Sequence, residues 1–282
     1  MKKAVQQIML GSVTTNQEKT MEILSKIKSL GYDGLELNRY MIHPTPIFVR
    51  MLTKMAGMPS GSGGKLNWIE LMKQSDLSVI SLHTDLDSLE KEMDTIIKEA
   101  KEFKTDKIVI TGMYGFDYSN EEAIHELIER LNHAGKILKE ADLSLLYHNH
   151  NAELTRVKSN LRMYDILIQE TNPECVNFEF DSYWFADAGA NSCEWMKVLG
   201  TRMKLWHATD RGIKYSKMSM TPILKSDSVE LGTGNLELEK MKDIAQENGV
   251  EAIVLESHKN WINKDPIQSI ELSARWLNQH IK

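Results

Sequence analysis

The segment from residue 107 to residue 150 decides the fold, because it holds a complete strand–helix–strand unit. It begins with the β-type run Lys107-Ile108-Val109-Ile110-Thr111 and ends with Leu143-Ser144-Leu145-Leu146-Tyr147-His148-Asn149-His150. Between these runs a helical pattern opens at Asn120, an N-cap residue type, and carries Glu121 and Glu122 in its first turn. This order predicts two parallel strands that are joined by a helical crossover.

The same unit repeats along the whole chain of 282 residues. The β-type runs are 7–12, 34–37, 78–83, 107–111, 143–148, 176–181, 203–207 and 252–256. Helical patterns follow them, such as residues 16–30, which end at Gly31, and residues 88–103. Eight units predict one α/β domain over residues 1–282, closed as a (β/α)8 barrel. A doubly wound open sheet is the alternative, and it is disfavoured because no G-x-G-x-x-G motif follows the first run.

The composition excludes several classes of protein. There are 34 Lys and Arg against 40 Asp and Glu, a net charge of −6, whereas nucleic-acid binders need a basic stripe. We expect no membrane partner, because no uncharged apolar run approaches the length of a membrane span. The first residues lack a signal-peptide core, and Cys175 and Cys193 are expected to be reduced thiols. These features predict a cytoplasmic protein.

Two stretches exceed what a minimal barrel needs, and both follow the carboxyl ends of strands. Residues 39–66 include a helical pattern at 48–55 and a glycine-rich run at 59–64, and residues 211–230 form a long connection. They are predicted to be helical and loop insertions on the face where barrels of this kind keep their active sites. Lids, partner surfaces and plain connections all remain open for them.

Four consecutive strands end in imidazole or carboxylate side chains. Strand five ends in His148-Asn149-His150 with Glu153 nearby, and the next three end at Asp181, His207 and Glu256. In a barrel these ends converge, and several buried carboxylates need a compensating charge. A divalent cation supplies it, and oxygen and imidazole donors without thiolate suit Mn²⁺, Co²⁺, Fe²⁺, Zn²⁺ or Mg²⁺. The alternative is a set of polar side chains that are hydrogen-bonded to loops.

Motifs spread over nearly the whole chain resemble the xylose-isomerase-like barrel superfamily of sugar isomerases and epimerases. They are residues 31–37 (GYDGLEL), 147–153 (YHNHNAE), 180–184 (FDSYW), 206–210 (WHATD), 231–236 (LGTGNL) and 254–256 (VLE). The Tyr-His-Asn-His motif resembles one branch of the superfamily in particular. That branch also resembles the catalytic subunits of C-glycoside-cleaving lyases, which act on 3-keto-glycosides and pair with a small β-rich subunit.

The resemblance implies roles for individual residues. The implied metal ligands are Glu153, Asp181, His207 and Glu256, with Mn²⁺ as the first candidate ion. His148 stands where many relatives carry a ligating glutamate, so the strand-five ligand is either Glu153, which we favour, or His148. The implied catalytic residues are His148, His150, Glu153 and Glu256. By their chemistry, Trp184 and Trp206 are candidate flat walls for a sugar ring, with core packing as the equal alternative. Arg211, Lys214 and His258 are candidates for binding its hydroxyls, and His83 is a further substrate-binding candidate.

The expected reaction is proton abstraction next to the carbonyl of a small sugar, through an enediolate. Return of the proton gives an isomerase or an epimerase, and expulsion of a β-substituent gives a lyase on 3-keto-glycosides. We expect a homo-oligomer, or a hetero-oligomer in which Met51, Met55, Met58, Met218 and Met220 offer adaptable surfaces to a small β-rich subunit. A barrel-type endonuclease and a non-catalytic sugar-binding module are disfavoured.

Overall fold

The computed structural model describes residues 1–44, 64–111, 113, 115–213 and 221–282. Eight parallel strands close into a barrel, in the order β1-β8-β7-β6-β5-β4-β3-β2 around its circumference. The strands are β1 (Lys2–Gln6), β2 (Gly34–Asn38), β3 (Ser78–Thr84), β4 (Lys107–Ile110), β5 (Ser144–His148), β6 (Val176–Asp181), β7 (Met203–Ala208) and β8 (Ala252–Leu255). The predicted (β/α)8 barrel is therefore confirmed.

Helices surround the barrel. Those in the described ranges are α1 (Gln17–Ser29), α2 (Arg39–Ile42), α3 (Trp68–Ser75), α4 (Leu86–Lys91), α5 (Met93–Phe103), α6 (Glu121–Glu140), α7 (Met163–Glu170), α8 (Ser182–Asp187), α9 (Ser192–Leu199), α10 (Leu238–Glu247) and α11 (Pro266–His280). The predicted start of α6 is confirmed, because the Asn120 side chain accepts a hydrogen bond from the backbone N–H of Ala123 at 3.2 Å. None of the helices built from described residues has the length and apolar character that crossing a membrane requires.

The prediction for the first strand is wrong. Residues 2–6 form β1, whereas Gln7–Leu10, which were predicted to be a strand, form a 3₁₀ turn. The Gln6 side chain caps this turn by accepting a hydrogen bond from the backbone N–H of Ile8 at 2.6 Å. All four turn residues are buried, so their apolar character reflects packing and not a strand.

The predicted helix over residues 88–103 is two helices, α4 and α5, which meet at Glu92. This residue leaves the helical conformation, with φ −121° and ψ 25°. The predicted end of α1 is confirmed, since Gly31 follows the helix with φ +89°, in the left-handed region that suits glycine.

Apolar side chains fill the lower part of the barrel. They are Ala4, Ile80, Val109, Leu146, Leu205, Ala252 and Val254. Side chains two residues apart on a strand point to the same face. His148, His207 and Glu256 stand two residues beyond Leu146, Leu205 and Val254, so they are directed into the barrel above the apolar layer. A second and larger core lies between the strands and the helices.

The two insertions are described only in part. Residues 45–63 lie outside the described residues, and with them the predicted helix at 48–55, most of the glycine-rich run, and Met51, Met55 and Met58. In the second insertion Asp210–Ile213 pairs antiparallel with Ser226–Val229 in a ribbon that the sequence did not predict. Lys214, Met218 and Met220 also lie outside the described residues. Cys175 and Cys193 are buried free thiols, as expected.

Candidate metal centre

Four side chains from neighbouring strands meet at the carboxyl edge of the barrel. This upper tetrad consists of His148 on β5, Asp181 on β6, His207 on β7 and Glu256 directly after β8. One donor atom from each residue lies within 4.8 Å of the others, and all four residues are buried. The structure thus brings together three of the implied metal ligands, with His148 as the fourth member.

Backbone contacts fix the strand ends that carry the tetrad. The Asn149 side chain pairs with the backbone of Asp181: its Nδ2 donates to the carbonyl at 3.1 Å, and its Oδ1 accepts from the N–H at 3.0 Å. Asp181 also caps α8, since its Oδ1 accepts a hydrogen bond from the backbone N–H of Trp184 at 3.0 Å. The backbone of Asp181 is therefore held by Asn149, and its carboxylate by the first turn of α8.

A second group of buried donors lies deeper in the barrel. This lower tetrad consists of Glu36 on β2, His83 on β3, Glu179 on β6 and the shared His207. His83 Nε2 lies 2.8 Å from both Glu36 Oε1 and Glu179 Oε2. His207 Nε2 lies 2.6 Å from Glu36 Oε1, and the Ser81 hydroxyl donates to the other oxygen of Glu36. His207 links the two tetrads, because its Nδ1 lies 2.9 Å from Glu256 Oε2.

Charges in the lower tetrad balance one another. Burial alone would lower the pKa of His207, but Glu179, Glu36 and Glu256 outweigh it and raise that pKa well above its usual value. Glu36 and Glu179 likewise outweigh burial at His83 and raise its pKa to about 10. In return, His207 and His83 outweigh the effect of burial on Glu179 and hold its pKa well below the usual range. Imidazoles and carboxylates thus stabilise one another's charged forms in this layer.

The upper tetrad lacks such a balance. Burial and the neighbouring Glu256 raise the pKa of Asp181 to about 8. Burial would also raise the pKa of Glu256, but His207 and His258 outweigh it and lower that pKa below its usual value. The ionised form of Asp181 needs a further positive charge beside it, and two imidazole and two carboxylate donors without thiolate fit a divalent transition-metal ion. The residues present thus fit the implied cation.

Three half-buried rings surround the upper tetrad. The His150 ring lies 4.9 Å from the His148 ring, and the Trp184 ring lies 6.0 Å from His150 and 6.2 Å from His258. His258 Nε2 lies 3.7 Å from Glu256 Oε1. Burial and His148 lower the pKa of His150 to about 3, so this imidazole is neutral at pH 7. These rings form a polar and aromatic border beside the upper tetrad.

Other implied site residues lie elsewhere. Glu153 is outside both tetrads: its Oε1 accepts from the Tyr147 hydroxyl at 2.9 Å, and its Oε2 accepts from the backbone N–H of His150 at 2.9 Å. Trp206 is fully buried among the helices, where its Nε1 donates to the Ser182 hydroxyl at 2.9 Å. It faces away from the site because it neighbours the inward-pointing His207 on β7.

Two further predicted substrate-binding residues, His83 and Arg211, differ in how deeply they are buried. His83 lies in the lower tetrad and not at the mouth of the site. Arg211 is half-buried, and its Nε lies 3.3 Å from Asp187 Oδ1 at the end of α8.

Sequence reasoning missed Glu36 and Glu179, the carboxylates of the lower tetrad. A signal for Glu179 was present, because it stands two residues before Asp181 on one strand and therefore faces the barrel interior as well. Glu36 lies within the quoted motif of residues 31–37, but it is not at a strand end. Both residues were missed because functional side chains were expected only at the ends of strands.

Comparison with known proteins identifies the family. Residues 24–280 match the family model of the xylose isomerase-like TIM barrel. The chain belongs to this family. Among curated members, an inosose dehydratase of Clostridium perfringens is 26% identical over 143 residues, 48% of this chain and 47% of the relative. That of Clostridium tetani is 23% identical over 167 residues, 56% of this chain and 55% of the relative. The matched part thus spans about half the length of these relatives.

Solved structures of other proteins share the fold over nearly the full chain. A sugar phosphate isomerase/epimerase from Parabacteroides distasonis has a TM-score of 0.74 and 21% identity, with 98% of this chain and 93% of that chain covered. The IOLI protein with a bound zinc atom has a TM-score of 0.69 and 13% identity, with 100% of both chains covered. At these low identities the structures show the shared fold alone, whereas the family rests on the match over residues 24–280.

Proposed function

We propose that this chain is a divalent-metal-dependent sugar isomerase or epimerase, which removes a proton next to a carbonyl and returns it through an enediolate. The observation that supports this function is the upper tetrad: His148, Asp181, His207 and Glu256 present two imidazoles and two carboxylates at the carboxyl edge of the barrel. Barrels of this type keep their active sites at that edge.

His148, Asp181, His207 and Glu256 would hold the ion, and in this proposal His148 takes the place that the sequence interpretation gave to Glu153. When bound, the ion would polarise the carbonyl and a neighbouring hydroxyl of the sugar as a Lewis acid. Mn²⁺ is the first ion to test, and Zn²⁺ is the second because the IOLI structure contains zinc.

Glu256 is the proposed base. His207 Nδ1 at 2.9 Å and the more distant His258 keep the pKa of this buried carboxylate low despite burial, so it is ionised at neutral pH. An ionised carboxylate beside the substrate accepts the proton that leaves the carbon next to the carbonyl. Return of the proton to the same carbon gives an epimer, and return to the neighbouring carbon gives an isomer.

His150 and Trp184 are the proposed substrate contacts at the mouth of the site. The neutral His150 imidazole has one donor and one acceptor nitrogen, which suits a sugar hydroxyl. The half-buried Trp184 ring lies between His150 and His258 and offers a flat apolar face for a sugar ring. Both side chains thus orient the sugar above Glu256.

Solvent exchange tests this proposal. Protein loaded with Mn²⁺ or Zn²⁺ is incubated in D₂O with a panel of free ketoses and aldoses, and NMR follows deuterium at the carbon next to the carbonyl. We expect incorporation with the wild type, none with Glu256→Gln, and an unchanged rate with Glu126→Gln, which alters an exposed side chain on α6. Exchange that persists in Glu256→Gln would remove Glu256 as the base.

A lyase is the second candidate function. In a β-elimination Glu256 would remove the proton as before, and the β-hydroxyl or β-alkoxyl group would then leave with that proton as water or alcohol. The Clostridium relatives are dehydratases by name, which favours this alternative. The substrates to test are an inosose and a 3-keto-glycoside. Release of water or of the aglycone, without exchange into ketoses, would favour the lyase; a small β-rich subunit remains a prediction for this case.

A further inference from the structure

Both imidazoles of the upper tetrad place one ring nitrogen on carboxylates of the lower tetrad. His207 Nε2 lies 2.6 Å from Glu36 Oε1 and 3.2 Å from Glu179 Oε2, and His148 Nδ1 lies 3.2 Å from Glu179 Oε2. Carboxylate oxygens accept hydrogen bonds, so these contacts favour the tautomers in which each of these nitrogens carries a proton. The nitrogens left for a cation are then His207 Nδ1 and His148 Nε2.

We propose that Glu36 and Glu179 are positioning residues of the metal centre, which hold His207 and His148 in the tautomers and orientations that bind the ion. The inference rests on the proposed metal site and adds the residues that prepare it. A ligating histidine commonly donates its second ring N–H to a carboxylate, which fixes the ring and raises its basicity as a ligand. Here two such donations converge on one buried layer of the barrel.

Glu179 is the centre of this arrangement. Its side chain is fully buried, and its Oε2 faces three imidazoles: His83 at 2.8 Å, with His148 and His207 both at 3.2 Å. Its Oε1 has no hydrogen-bond partner within the part of the chain that the structure describes. A buried carboxylate oxygen without a partner lowers stability, so this residue is poorly explained by stability alone and well explained by a role in the site.

The same contacts explain why an imidazole fits at position 148. A carboxylate there would lie beside the ionised Glu179 and repel it, whereas the His148 ring donates to Glu179 and still offers a nitrogen to the ion. His148 and Glu179 therefore form a matched pair across β5 and β6. Glu36 serves His207 in the same way from the opposite side of the barrel.

Calorimetric titration with Zn²⁺ and with Co²⁺ tests the proposal on metal-free protein. The variants are Glu36→Gln and Glu179→Gln. The control is Glu99→Gln, because Glu99 also contacts an imidazole, that of His43, and accepts from Arg39, but lies on α5 outside the barrel. We expect one ion per chain in all four proteins. Affinity falls by about 10- to 100-fold in the two lower-tetrad variants and is unchanged in the control.

If Glu36 and Glu179 had only a structural role, the result would differ. The two substitutions would lower the melting temperature of the metal-free protein, but a saturating ion would raise the melting temperature by as much as it does in the wild type. A positioning role reduces that increase and changes the visible absorption of the Co²⁺ protein. If Glu179→Gln does not fold, the test rests on the metal affinity and melting temperature of Glu36→Gln, which alters the contact of His207 and not that of His148.

Three results would overturn either the positioning role of Glu36 and Glu179 or the proposed metal-dependent function. Wild-type affinity in both variants would refute the positioning role while leaving the metal site intact. Two ions per chain, reduced to one in Glu36→Gln, would make the lower tetrad a second metal site and not a support. A wild-type protein that binds no ion would instead refute the proposed function on which this inference rests.

Discussion

At the scale of single residues, His207 joins the two buried layers of the site. Its Nδ1 lies 2.9 Å from Glu256 and its Nε2 lies 2.6 Å from Glu36, so each ring nitrogen contacts a carboxylate. The ring is fully buried and cannot turn without breaking both contacts. The donor nitrogen that the upper tetrad offers is therefore set by the barrel and not by the ligand.

The choice between His148 and Glu153 as the strand-five ligand is testable by substitution. His148→Ala is expected to lower metal affinity by more than about 100-fold, which exceeds the loss expected for an outer contact. Glu153→Gln is expected to leave affinity unchanged but to lower the free energy of unfolding by about 1–3 kcal/mol, because an amide cannot accept both existing hydrogen bonds. Metal titration and urea unfolding of both variants measure these effects, and loss of affinity in Glu153→Gln alone would reverse the assignment.

Metal binding should depend on pH through Asp181 and through His207, since the raised pKa of His207 means that it too must lose a proton to the ion. The pKa of Asp181, about 8 in the metal-free protein, means that the carboxyl is largely protonated at pH 7, whereas an ion needs the ionised form. Affinity should therefore rise from about pH 6 to about pH 8, with protons released on binding. Titrations in buffers of different ionisation enthalpy measure that release; affinity that falls with rising pH would contradict the assignment of Asp181.

Part of the site could be predicted from strand ends alone, and part could not. Asp181, His207 and Glu256 follow from converging parallel strands, and the structure brings them together. Trp206 could have been rejected from sequence, since adjacent residues on a strand face opposite sides. Glu36 gave no such signal, because only the closed barrel brings β2 across to His207 on β7.

At the scale of elements, α6 packs closely against the chain that leads into β6. A Cβ atom on Gly135 would lie 2.6 Å from the backbone oxygen of Cys175, a distance that real Cβ atoms essentially never show. The absence of a side chain at this helical position therefore allows the helix to approach the strand that carries Glu179 and Asp181. Long helical patterns such as this one were predictable, whereas the break at Glu92 was not, because neither Gly nor Pro marks it in the sequence.

Gly135→Ala is expected to be destabilising although alanine favours helices. The added methyl group must push α6 away from Cys175, which costs about 1–3 kcal/mol of unfolding free energy. Urea unfolding measures this loss, with Glu129→Ala on the exposed face of the same helix as a control that stays within about 0.5 kcal/mol. A Gly135→Ala variant as stable as the wild type would show that the helix and strand are not in rigid contact.

At the scale of the whole molecule, the barrel interior is divided by polarity. Apolar side chains fill its lower part, the lower tetrad lies above them, and the upper tetrad lies at the carboxyl edge beneath three half-buried rings. The alternation of strands and helices was sufficient to predict the closed barrel. The vertical order of the layers was not predicted, because it depends on the register between strands, such as the shift between Phe178 and Glu179 on β6 against β7.

The central claim is that the upper tetrad binds a divalent ion, and metal analysis of protein purified without chelator tests it most directly. Inductively coupled plasma mass spectrometry should find one divalent transition-metal ion per chain in the wild type and almost none in Asp181→Asn, with both proteins folded by circular dichroism. A wild type that contains no ion and takes up none from Mn²⁺ or Zn²⁺, or an Asp181→Asn variant with the full complement, would contradict the account.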